Sequence, residues 1–494
     1  MIEIDWIKVQ QQLLYDPKNL LLFNSGFFVY FFLFFILCYF LVRKQNHLRA
    51  LVLSLFSLYF FYKASGFFVF LVIGTSIVNF ALSNFIYRLK SQVLQKTVLV
   101  ISIVCNLGVL FYFKYTNFVI ELLNSYSSVH FNALHLILPI GISFYTFENL
   151  SYTVDVYRKE IEPEKKIVNY LLFLSFFPKL VMGPIVRAKD FIPQLKKPYF
   201  VSATDFSAGF YLIISGLIKK LIISDYVSLN LVDYVFDGPS LHNGFECLMA
   251  MYGYAIVIYC DFSGYSDVAI GISKWLGISI PANFLSPYQS TSISDFWRRW
   301  HISLSSWLRD YLYIPLGGNK GGKLRTNINL FLTMVIGGFW HGASFNFIIW
   351  GALHGFGLII NKIASAGLGR CKRQYIPKKV SNLFFGLLTF HFVCFCWIFF
   401  RASDWGTAVQ FIYQIQYQFT FANSVTFLSN YKIALSMIGF GFIIHLIPDS
   451  WAVLFIEKQK HFSLFYFIVV AFLFLMVYSY FKSAQPVMPI YLQF

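Results

Sequence analysis

Long apolar runs, separated by short polar and basic stretches, recur from one end of the chain to the other. A helix needs about 20 apolar residues to cross the hydrocarbon core of a bilayer. Backbone in that medium must satisfy its own hydrogen bonds, which favours helices as spanning elements. The pattern predicts segments near 24–42, 50–64, 66–88, 97–114, 134–152, 167–183, 206–224, 246–275, 327–343, 345–363, 382–400, 433–448 and 463–482. Some are too short, or too interrupted by proline and glycine, to cross unaided. The run at 167–183 ends in Pro178, Lys179, Gly183 and Pro184, which reads as a re-entrant or broken helix buried in protein. The expectation is an all-α polytopic integral membrane protein of about eleven transmembrane helices plus re-entrant and interfacial pieces.

Composition agrees with the pattern. Of 494 residues, 58% are apolar, 21% aromatic and only 12% charged, against roughly 25% charged in a soluble domain. Sixty Phe and thirty-two Tyr exceed what a water-soluble core of this size would hide, so a soluble enzyme, a disordered chain and a disulfide scaffold are excluded. One large transmembrane domain over 20–494 is expected. The run from Leu20 to Val42 is too long for a signal-peptide core, and its basic flank Arg43, Lys44 and Arg49 reads as cytoplasmic. That places residues 1–19 outside as an extension without an assigned role.

Charge changes the picture less than it first suggests. The net charge of +17 would hint at nucleic acid in a soluble protein, but in a membrane chain it follows from basic cytoplasmic loops. The clusters are Arg43–Arg49, Arg88–Lys96, Arg158–Lys166, Arg187–Lys197 and Arg370–Lys379, and no nucleic-acid partner is expected. Cys38, Cys105, Cys260, Cys394 and Cys396 lie in apolar runs and read as core packing; no CxxC pair or other metal-ligand spacing occurs.

Chemistry concentrates in the longest polar interruption, between Ile280 and Asn327. It contains Asp295-Phe296-Trp297-Arg298-Arg299-Trp300-His301 and continues through Trp307, Arg309 and Asp310 to Pro315-Leu316-Gly317-Gly318. On one continuous helix Trp297, Trp300 and His301 would share a face, as would Arg298, Ser305 and Arg309. An interfacial amphipathic helix with snorkelling arginines is one reading; a functional site is the other, because the segment has more hydrogen-bonding groups than an anchor needs. The loop Gly317-Gly318-Asn319-Lys320-Gly321-Gly322-Lys323-Leu324-Arg325 resembles a phosphate loop, but Leu324 stands where Ser or Thr should bind magnesium and no buried strand precedes it. It is either a flexible basic loop or an anion site built from glycine N–H groups and cations.

Next comes Gly337-Gly338-Phe339-Trp340-His341-Gly342-Ala343-Ser344, inside an otherwise apolar segment. His341 is either a hydrogen-bonded packing residue or a general base, since neutral imidazole in a low-dielectric site is competent near neutral pH. Its flanking glycines would let backbone or substrate approach. His354 is a weaker candidate of the same kind; His391 and His445 sit in apolar runs with less support. Asp261 and Asp267, six residues apart in a hydrophobic setting, suggest ion coupling instead, the basis of a transporter or flippase reading. A membrane scaffold without chemistry is a third.

At these residues the sequence resembles the membrane-bound O-acyltransferase (MBOAT) family, in the bacterial branch that includes alginate O-acetyltransferases and the D-alanyl-transfer membrane protein. The matching stretches are FNSGFFVYFF, LPIGISFYTFENLSYTVDVYR from Leu138, FFPKLVMGPIVR from Phe176 and YCDFSGYSDVAIG from Tyr259. DFWRRWHISLSSWLRDYLYIPLGGN and GGFWHGASFNFIIWGALHG are the most specific.

The resemblance implies a ring of tilted helices with a funnel reaching a buried histidine, and a catalytic core at about 138–360. It implies His341 as the catalytic base and His301 at the cytoplasmic end of the reaction tunnel. It implies acetyl transfer from cytoplasmic acetyl-CoA, with no permanently bound cofactor and no metal. Trp297, Arg298, Arg299, Trp300, Lys320, Lys323, Trp340 and Ser344 are the expected donor-binding residues. The tail Pro489-Ile490-Tyr491-Leu492-Gln493-Phe494 is similar to the aromatic tail of that branch. Tyr491 is then either an interface anchor or a relay that carries acetyl to an extracytoplasmic SGNH-type transferase. The expected acceptor is an extracytoplasmic polysaccharide, alginate-like or peptidoglycan, and the setting a bacterial inner membrane whose lipids surround the protein. D-alanyl transfer from a carrier protein is the alternative.

Overall fold

The computed structural model describes residues 11–23, 25–126, 130–368, 377–482 and 487–492, and among these all regular structure is helical. Among the described residues seven helices are long and apolar enough to cross a membrane, or eight if the pair Ser424–Asn430 and Lys432–Leu446, bent by 79°, counts as one span. The outer faces of several helices carry bare Phe, Leu and Ile. On Leu464–Phe481 the side chains of Phe465, Ile468, Phe472, Leu473 and Met476 are exposed, and on Gly26–Val42 so are Leu33, Phe34, Leu37 and Leu41. Such surfaces are stable only where the solvent is lipid. The chain is a multi-pass membrane protein.

The apolar runs and the helices differ in informative places. The runs at 50–64 and 66–88 are matched by two helices, Asn46–Ser65 and Val69–Arg88, divided at Gly66, whose φ of +63° ends the first. The run expected from 134 is not helical until Ile142, and the helix Ile142–Tyr157 is nearly all buried, so its apolar character is that of a protein core. At 167–183 the expected break is present: a helix over Ile167–Ser175 stops at Phe176, and a single turn, Phe177–Leu180, follows. The expected packing by cysteine holds for Cys260, Cys394 and Cys396, but Cys105 is exposed and Cys38 half-exposed. Those two sit on apolar helices whose outward faces meet lipid, so an apolar run did not mean a buried one.

Two compact units divide the chain, Met1–Gly209 with Val268–Ile280, and Phe210–Asp267 with Pro281–Phe494. In the first, polar residues tie helices together from inside. Asn79 and Asn106 exchange amide hydrogen bonds at 3.1 and 2.7 Å, Ser102 Oγ donates to Asn79 Oδ1 at 2.9 Å, and Ser83 meets Thr153 at 3.2 Å. The buried Lys179 ammonium pairs with Glu148, whose other oxygen accepts the Val186 N–H at 3.1 Å. In the second unit, Gly322–His341 and Phe345–Leu368 form a tight hairpin. A Cβ on Gly338 would overlap the Phe347 carbonyl and stand 2.9 Å from Gly351 Cα, so small residues let the two backbones touch.

Candidate active site

All the site elements below belong to the second unit. The polar interruption does not form one helix. Ile293–Arg299 ends at Trp300, Ile302–Leu308 begins two residues later, and His301 between them has φ +43°. The expected shared face of Trp297, Trp300 and His301 is therefore broken, because the chain turns through His301. A left-handed non-glycine residue costs about 1–3 kcal/mol and persists only where surroundings over-determine it. Here Asn283 does so. Its carbonyl accepts the Ile302 N–H at 3.0 Å, and its side-chain Oδ1 accepts from Ser303 N at 3.2 Å and Ser303 Oγ at 2.9 Å.

The same Oδ1 lies 3.1 Å from His301 Nδ1. An amide oxygen can only accept, so Nδ1 carries the proton and Nε2 is the basic nitrogen. His301 is fully buried, and burial lowers its imidazole to about 3, which leaves the ring neutral at physiological pH. Asn283 was not among the sequence candidates. The one signal was an Asn placed in the polar stretch directly after a long apolar run.

His341 ends the Gly322–His341 helix and is 3% exposed. Aromatic rings surround it: Trp340 at 5.0 Å between centroids, Trp350 at 5.1 Å, Phe400 at 5.4 Å and Tyr491 at 5.4 Å. The adjacent glycine serves packing rather than open approach, since a Cβ on Gly342 would run into the Phe347 ring. Tyr491, 150 residues later, is buried; its ring lies 4.2 Å from Phe262 and 6.1 Å from His301. Trp340 faces His301 at 6.4 Å. The structure thus gathers His301, Trp340, His341 and Tyr491 in one buried cluster.

Burial holds the Tyr491 phenol protonated, well above its ordinary value of 10. It can act as a nucleophile only when a base removes its proton as the new bond forms, and neutral imidazole is the base that a dry cluster can offer.

The other expected residues fall elsewhere. Trp297 is buried and donates Nε1–H to His354 Nδ1 at 3.3 Å, and Trp300 stacks on Phe296 and lies tilted against Trp397. These two tryptophans form an aromatic floor with His354 and Trp350 rather than a polar binding face. Arg298 is exposed and Arg299 partly so, and both pair with Asp295, at 3.4 and 3.1 Å. Ser344 is half-buried in the bend before Phe345. Lys320 and Lys323 are exposed in a loop whose Gly317, Gly318, Gly321 and Gly322 all have positive φ, which only glycine adopts readily. Tyr313 Oη to Asn319 Oδ1 at 2.7 Å and Asn329 Nδ2 to the Gly318 carbonyl at 3.1 Å give that loop a definite course.

Asp261 and Asp267 are both held by lysines, Asp261 by Lys220 at 2.5 Å and Asp267 by Lys219 at 2.7 Å. The lysines come from an apolar helical stretch and went unread in the sequence.

An all-helical, multi-pass membrane protein with a buried histidine–tyrosine cluster defines the class. The chain belongs to the membrane-bound O-acyltransferase family: residues 160–400 match the model described as MBOAT, membrane-bound O-acyltransferase family. It is 35% identical over 423 residues, 79% of either chain, to a peptidoglycan O-acetyltransferase of Helicobacter pylori. It is 37% identical over 406 residues, 81% of this chain and 75% of the relative, to a probable alginate O-acetylase AlgI of Pseudomonas aeruginosa. A teichoic acid D-alanyltransferase of Bacillus subtilis is 31% identical over 283 residues, 55% of this chain and 70% of the relative. The protein is a membrane acyltransferase of the alginate O-acetylase-like branch.

Proposed function

We propose that this acyltransferase moves an acetyl group from cytoplasmic acetyl-CoA across a bacterial inner membrane for O-acetylation of an extracytoplasmic polysaccharide, alginate-like or peptidoglycan. The observation that carries the reading is the buried contact of His341 with Tyr491. His341 takes the phenolic proton while the Tyr491 oxygen bonds to the thioester carbonyl. The C–S bond breaks, and the departing CoA thiolate recovers the proton from the imidazolium. The tyrosyl ester then passes its acetyl group to an SGNH-type transferase or directly to the acceptor. His301, neutral and oriented by Asn283, lines the donor side. Arg298, Arg299, Lys320 and Lys323 meet the phosphates of CoA at the cytoplasmic face.

This reading takes the chain as about eleven spans in a ring with a central funnel, residues 1–19 outside and the catalytic core at about 138–360. The relative named a teichoic acid D-alanyltransferase supports a second donor class, an aminoacyl group on a carrier protein, at lower coverage. The test is incubation of detergent-purified protein with radiolabelled acetyl-CoA, wild type beside His341→Ala, with a matched partner transferase. Wild-type-only release of CoA or retention of label supports the proposal. No turnover by folded wild type, with turnover of a D-alanyl carrier, replaces the donor. Failure of both donors overturns the reading.

A further inference from the structure

Two acidic residues six positions apart on Gly244–Trp275 are alike in sequence context, yet the structure gives them different neighbours. Asp267 meets Lys219 at 2.7 Å, an ion pair joining two helical segments. Asp261 is the more deeply buried. Its Oδ1 is 2.5 Å from Lys220 Nζ, which also meets Asp225 Oδ1 at 2.7 Å. Its Oδ2 accepts a hydrogen bond at 2.9 Å from the backbone N–H of Ile490, 229 residues away in the tail. Ile490 begins a short turn, Ile490–Leu492, so its N–H has no partner within the turn. A carboxylate is the strongest acceptor available to such a donor.

The next residue on each side continues the match. Phe262 follows Asp261, Tyr491 follows Ile490, and their rings lie 4.2 Å apart. One backbone hydrogen bond and one ring contact thus fix two consecutive tail residues against two consecutive helix residues. On the far side Tyr491 meets His341 and His301. Buried ion clusters contribute little net stability, and their best-attested use is to set register.

We infer that Asp261, held by Lys220 and Asp225, is a positioning residue: it seats the C-terminal tail so that Tyr491 stands against His341. Its value to catalysis rests on the relay reading above, but the seating itself can be tested separately. Asp261→Ala leaves Lys220 still paired with Asp225, so no lysine is orphaned. Ile490→Pro deletes the N–H while keeping an apolar side chain of smaller size, at a turn-initial position where proline is tolerated. Asp267→Ala is the control, removing a like acid from the same helix without touching the tail.

Each change is made in a Leu492→Cys background, and maleimide labelling of the tail is followed by mass spectrometry of the C-terminal peptide. Labelling should accelerate about tenfold or more in Asp261→Ala and in Ile490→Pro, the size expected for losing a hydrogen bond to a charged acceptor. It should stay within about threefold of the background in Asp267→Ala, and Asp261→Asn, which keeps an acceptor, should fall between. Equal labelling in every variant, or equal acceleration by Asp267→Ala, overturns the inference. Acetyl delivery to the outer acceptor should fall in step with tail release, while acetyl-CoA binding is retained. Tail release with undiminished delivery leaves Asp261 as the seat and removes the Tyr491 relay.

Discussion

The helix Gly322–His341 carries candidate residues at both ends, and the two ends are built differently. It has 20 residues, about 30 Å at ~1.5 Å per residue, the thickness of a bilayer's hydrocarbon core. At its C-terminal end His341 is buried among Trp340, Trp350, Phe400 and Tyr491, and nearby His301 is fixed in tautomer by Asn283. At its N-terminal end Lys323, with Lys320 just before it, stands exposed. One end has its geometry settled before any substrate arrives; the other offers exposed charges at a surface. Chemistry that depends on ångström-scale placement belongs at the first, and long-range attraction at the second.

The contrast can be broken most directly at His341. His341→Ala should lower acetyl turnover by about 10²–10⁴-fold, the usual contribution of a positioned general base, measured as CoA release by folded protein. A loss under tenfold would make the buried end a packing cluster. Tyr491→Phe keeps the ring contacts and removes only the hydroxyl. Acetyl-CoA should still bind, but CoA release and delivery to the outer acceptor should both fall about 10²-fold or more if the phenol is a covalent nucleophile. Full delivery would make Tyr491 an aromatic plug.

Asn283 tests whether orientation matters at the buried end. Asn283→Leu removes the acceptor that holds Nδ1–H and releases the left-handed turn at His301. Turnover should fall about 10–100-fold, in keeping with a buried polar group left unpaired, with little change in the KM for acetyl-CoA. A rise in KM at constant kcat would assign Asn283 to donor binding instead.

Much of this was legible in the sequence because it is local. Apolar runs of spanning length gave most helices, and the two histidines stood out as polar residues in motifs of dense Trp and Gly. The turn at His301 was not legible: helical spacing through Trp297–Arg309 is regular, and only Asn283, 18 residues upstream, forces the break. Nor was the contact of the tail, since Ile490 and Asp261 meet across 229 residues and no periodicity encodes such a pairing. The lysines that hold Asp261 and Asp267 were masked by the apolar run around them. Intramembrane acids signal function by default, but which function depends on a partner that the sequence does not place.

The smallest effect is expected at the exposed end. Lys320→Glu with Lys323→Glu reverses two charges in water, where exposed pairs contribute about 0–1 kcal/mol each. The KM for acetyl-CoA should rise only about 3–10-fold, with kcat unchanged, because His341 lies a full helix length away. Screening makes the claim sharper: at 0.5–1 M salt, where the Debye length shrinks to roughly 3–4 Å, wild type and variant should converge. A salt-insensitive rise would mean that the lysines touch the donor directly, with the loop closing over it. An unchanged KM at low salt would remove the loop from donor binding and leave Arg298 and Arg299 as the phosphate-side cations. Both arginines share Asp295, so Asp295→Asn should then strengthen donor binding by freeing them.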